Sequence, residues 1–179
     1  MEGRKSRRIL SLTLVGLVLL IIGLVIGIVM DFNKTESQLA DFNDEIYAIH
    51  AELDSIFFSD DSTTDPDNFI SILLIKIEKA TDPDQKLQLA VAAADFYYFS
   101  KEYGLGIAVL ANIDTANCTV DNQLLKIETL FLLYDANGDA LKAKEQAILV
   151  STLPDMELQS QDMSIVKERY SKIVEGLNE

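Results

Sequence analysis

A chain of 179 residues with 29 acidic and 15 basic side chains carries a net charge of −14 and repels phosphate backbones, so nucleic acid is excluded as a partner. Cys118 is the only cysteine and His50 the only histidine, which removes an intramolecular disulfide, a cysteine-based zinc cluster and most catalytic triads. The absence of tryptophan, with only eight glycines and three prolines, favours helices over a turn-rich β fold.

Residues 1–8 form a basic flank, with Arg4, Lys5, Arg7 and Arg8 set against Glu2. Ile9 to Met30 follows without a charge. A helix over those residues is about 33 Å long, enough for a hydrocarbon core of about 30 Å. It is expected to be a single transmembrane helix. A cleaved signal peptide would have a shorter apolar core and a small-x-small site, where this chain has Val29 and Met30. The positive flank is expected in the cytoplasm, which puts the acidic remainder, net −17 over residues 31–179, outside it. Gly16, Gly23 and Gly27 share one face of the span and are candidates for transmembrane helix packing.

From Leu39 to Ile56 the residues Leu39, Phe42, Ile46, Ile49, Leu53 and Ile56 recur by threes and fours. That spacing predicts a juxtamembrane amphipathic helix over 31–58, packed on its own domain against residues 66–80. If the helix ran straight from the membrane, this seam would oppose the glycine face, so one straight dimer cannot use both. Asp65-Pro66 and Asp82-Pro83 each predict a helix start with an aspartate cap and proline at the first position. The expected helices are 66–80, with Ile70, Leu73, Leu74 and Ile77 buried, and 83–101, broken by Gly104. A shorter helix over 105–113, two more over 120–134 and 140–150, and a last one reaching about Leu177 complete the domain, 59–179.

Two of these hairpins align. Ala94, Tyr97, Tyr103 and Gly106 stand 37 residues before Phe131, Tyr134, Ala140 and Ala143. Ala94, Tyr97, Gly106, Phe131, Tyr134 and Ala143 are therefore candidates for repeat packing, with small residues where two helices cross. This pattern, with Gly138-Asp139 before Ala143 and Pro154 after it, resembles the tetratricopeptide repeat (TPR), a helix–turn–helix unit of about 34 residues. Ala90 and Ile127 stand where the repeat has tryptophan, and Phe131 where it has a small residue. The resemblance covers residues 87–154 and implies an all-α, TPR-like α-solenoid of antiparallel helix pairs with a C-terminal capping helix.

Candidate chemistry is scarce. Asp135-Ala-Asn-Gly-Asp139 opens like a calcium loop but has Ala140 and Gln146 where glycine and glutamate are required, so it reads as a hairpin turn. His50 has no second ligand at helical spacing and reads as structural or solvent-facing. No catalytic, metal or cofactor site is expected, and the chain reads as a non-enzyme. The expectation is a membrane-anchored interaction module that presents its domain outside the cytoplasm, of the kind that attends secretion or assembly of an envelope complex. Its expected partners are other proteins, membrane proteins among them, offering a peptide or helix to a concave groove. Tyr98 and Tyr103 are the candidate partner surface. The alternative is a structural or sensory single-pass protein that oligomerises through its transmembrane or juxtamembrane helix.

Overall fold

The computed structural model describes residues 34, 36–59, 64–155 and 162–176. The basic flank, the uncharged stretch 9–30 and its Gly16, Gly23 and Gly27 lie outside the described residues. Among the described residues no helix is long and apolar enough to cross a membrane. The chain divides into two compact units, Met1–Glu45 and Ile46–Glu179. The division falls inside a helix, α1, over residues 36–58. In the first unit Phe42 is buried, whereas Leu39, expected on the buried seam, is 56% exposed.

In the second unit the regular elements among the described residues are helices. After the end of α1 come α2 (Pro66–Lys79), α3 (Pro83–Phe99), α4 (Tyr103–Ala111), α5 (Val120–Ala136), α6 (Ala140–Val150) and α7 (Met163–Gly176). The starts follow from local chemistry. Asp65 accepts a hydrogen bond from the Asp67 amide at 3.1 Å and Asp82 from the Gln85 amide at 2.9 Å, each ahead of a proline that has no amide to satisfy. Asp139 caps α6 in the same way through the Lys142 amide at 3.2 Å. Lys76 and Lys79 close α2 with positive charge where its carbonyls end.

Helix α3 is the hub. Leu87, Leu89, Ala90, Val91, Ala92, Ala93, Ala94 and Phe96 are all buried, so the helix is covered on nearly every side. It packs against α2, α4 and α5, and α5 also touches α4 and α6. Four alanines within five residues, Ala90 and Ala92 to Ala94, make this possible, because a helix without bulk lets its neighbours approach. The end of α1 joins the hub through Phe57, whose ring lies 5.4 Å from Phe96 and 5.5 Å from Phe99. The end of α1 thus packs on α3 through a ring that the predicted seam did not include. A second core lies between α5, α6 and α7, where Leu124, Ala147, Val150, Met163, Val166 and Tyr170 are buried together.

The break after α3 is not at Gly104. The chain turns at Ser100–Glu102, Lys101 takes a positive φ of 64°, and α4 starts at Tyr103 and ends at Ala111. Gly104 stands inside the first turn of α4 with open space around it. The turn is closed instead by backbone hydrogen bonds that require a left-handed residue just past the helix.

Candidate functional site

The two aligned hairpins are built alike. Helices α3 and α5 are both 17 residues long, α5 starts 37 residues after α3, and α6 starts 37 residues after α4. The turns match bond for bond. In the first, the Glu102 amide donates to the Tyr97 carbonyl at 2.8 Å and the Lys101 amide to Tyr98 at 3.0 Å. In the second, the Asp139 amide donates to Tyr134 at 2.9 Å and the Gly138 amide to Asp135 at 3.0 Å. Gly138, at φ 78°, occupies the left-handed position that Lys101 holds in the first turn.

Within the first hairpin Ala94 and Gly106 meet. A methyl group on Gly106 would stand 3.2 Å from the Ala94 carbonyl oxygen and 2.9 Å from a terminal carbon of Leu133 on α5. Gly106 is thus where α3, α4 and α5 converge, and the glycine serves close approach. Tyr97 is half-buried, and burial together with the Glu102 charge raises its hydroxyl above the ordinary tyrosine range. In the second hairpin Ala143 is fully buried. Phe131, at the position of Ala94, turns to α7 and meets the ring of Tyr170 edge-on at 5.7 Å. Tyr134 is half-buried under the Lys142 ammonium, 5.3 Å from its ring centre.

Polar ties hold successive hairpins together. The Asp84 carboxylate at the start of α3 accepts from the Thr119 amide at 2.9 Å and its hydroxyl at 3.3 Å, just before α5. Lys126 on α5 donates to the Ile113 carbonyl at 2.6 Å, and burial holds its ammonium below the usual lysine range. Glu128 accepts from Arg169 at 2.7 Å and from the Tyr170 hydroxyl at 3.2 Å, tying α5 to α7. Cys118 is buried beside this seam, and burial, then the Asp84 charge, pushes its thiol upward, away from a reactive thiolate.

The remaining feature is a cavity of about 280 Å³. Helix α1 contributes His50, Leu53 and Asp54; α3 contributes Asp95, Tyr98 and Phe99; α5 contributes Thr129, Leu132 and Leu133. Burial pushes the Asp95 carboxyl up to about 6. The Thr129 hydroxyl donates to the Leu125 carbonyl at 2.8 Å, so its oxygen is left as an acceptor. The charged groups in this wall are both carboxylates.

The chain was compared with protein-family models, curated proteins and solved structures, and none matches.

Of the two tyrosines expected as a partner surface, Tyr98 lines the cavity and is partly exposed. Tyr103 stands behind it, with its ring 5.7 Å from Tyr98, and is not part of the wall. His50 faces the cavity from α1. Asp95, Thr129 and Leu132 are functional candidates that periodicity did not mark. One signal was present: Asp95 is the only charged side chain between Leu87 and Phe99, in a helix otherwise made of small, apolar and aromatic residues after Gln88. A carboxylate in such a run is either paired or purposeful.

Proposed function

We propose that this chain is a single-pass, membrane-anchored adapter whose helical domain is a short TPR-like solenoid that binds other proteins outside the cytoplasm. The observation that carries the reading is the recurrence, 37 residues apart, of the same helix starts and the same hydrogen-bonded turn. Stacked helix pairs with this regularity offer one face of successive first helices to a partner. Here that face would comprise α3 and α5, where Tyr98 and Leu132 are exposed. The anchor rests on the sequence: an uncharged run of membrane-spanning length behind a basic flank.

A second reading is self-association through α1, favoured by the exposure of Tyr47, at 75%, on that helix. Photocrosslinking in native membranes separates the two. A photoreactive side chain at Tyr98 or Leu132 should join the chain to a different polypeptide, whereas one at Leu149 on α6 should not. Adducts between copies of this chain alone, strongest from Tyr47, would support the second reading and remove the first.

A further inference from the structure

We propose that the cavity between α1, α3 and α5 binds an alkyl cation: a primary ammonium or guanidinium group on an aliphatic stem. That the cation is a lysine or arginine side chain of a partner protein rests on the adapter reading above; the cavity's preference for the cation does not.

The wall divides into two kinds of surface. Asp54 enters from α1 and Asp95 from α3, and both are carboxylates. Thr129 adds a hydroxyl oxygen whose proton is already given to Leu125. Tyr98 and Phe99 bring two aromatic rings, which attract cations to their faces. The rest is His50 and three leucines, Leu53, Leu132 and Leu133, and the leucines suit the methylene stem that carries such a charge. A cavity of about 280 Å³ is at the small end of ligand sites and suits one side chain rather than a large cofactor.

Asp95 sits on the most buried helix of the domain, and among the described residues no ion pair or hydrogen bond reaches it. An acid of this kind without a partner is unfavourable in a resting fold and becomes favourable when a cation arrives. Burial alone raises its pKa to about 6, so it is ionised at neutral pH and ready for that charge. The other titratable groups facing it are His50 and Asp54 from α1 and Tyr98 from its own helix; α5 adds none, and α2 and α4 contribute no lining residue.

The test is calorimetric titration of the full chain in nonionic detergent with N-butylguanidinium chloride, and separately with a capped peptide of one arginine among alanines. Butylguanidinium should bind saturably to the wild type and about tenfold more weakly to Asp95→Asn, the loss of one charge-assisted contact. Circular dichroism would verify that the variant is folded. In a His50→Gln background the affinity should fall about tenfold from pH 7.5 to pH 5, as Asp95 takes up its proton. The Asp95→Asn chain should not share that fall. Tighter binding of the peptide than of butylguanidinium assigns the cation to a partner's side chain. Binding of butylguanidinium with exclusion of the peptide keeps the cation site and removes support from the adapter reading. No saturable binding of butylguanidinium, or equal affinity in wild type and Asp95→Asn, overturns the proposal.

Discussion

Asp95 concentrates the tension in this molecule at the scale of a residue. Its folded pKa is about 6 against 3.8 for the free side chain, so between those values the folded state holds a proton that the unfolded state has released. Stability conferred by that extra proton is present at low pH and is lost as pH rises through about 6. A shift of this size corresponds to about 3 kcal/mol at most, because each pKa unit is worth about 1.4 kcal/mol. Asp95→Asn should therefore melt higher than wild type at pH 7.5, by several degrees, and the two should converge near pH 4. A variant that melts lower at pH 7.5 would mean that the ionised carboxylate is already satisfied within the fold.

At the scale of the element, the hairpin turn is what the repeats share, and the two copies differ in quality. Both turns require a left-handed residue, met by Gly138 in one and by Lys101 in the other. A side chain in that conformation costs about 1 kcal/mol, which glycine avoids. Lys101→Gly should stabilise the domain by about 0.5–1 kcal/mol, while Gly138→Ala should destabilise it by about 1 kcal/mol. Chemical denaturation of the two variants reads these opposite signs, and two changes of the same sign would show that the turns are not equivalent. These turns also mark how far the sequence speaks. Asp65-Pro66 and Asp82-Pro83 announce their helices because cap and proline act within a few residues of each other. The offset between hairpins is visible because Ala94, Gly106 and Ala143 must be small wherever helices cross. Lys101 gives no such signal, since its conformation is imposed by the hydrogen bonds of the turn, its own amide to the Tyr98 carbonyl and the Glu102 amide to Tyr97, rather than by its side chain. Leu39 belongs to an apolar period yet is exposed, because periodicity names a face without naming what covers it. The cavity is invisible in the sequence for the same reason: it requires α1, α3 and α5 together, and no local pattern brings His50, Asp95 and Thr129 to one wall.

At the scale of the whole molecule, the end of the α1 seam is buried inside its own chain. Leu53 is 2% exposed, lines the cavity beside α3 and α5, and is followed one turn later by Phe57 on the aromatic end of α3. A seam used inside its own chain cannot also zip two chains together. The fragment from residue 34 onward, an acidic polypeptide with no part of the uncharged stretch, should then be a monomer. Leu53→Asp would place an unpaired charge beside Asp54 and Asp95 and should cost about 3–5 kcal/mol of stability. Sedimentation equilibrium of that fragment, run with thermal melts of wild type and Leu53→Asp, tests the adapter account most directly. The account predicts a wild-type monomer and a mutant monomer that melts much lower; a wild-type dimer that Leu53→Asp converts into a monomer of undiminished stability would contradict it.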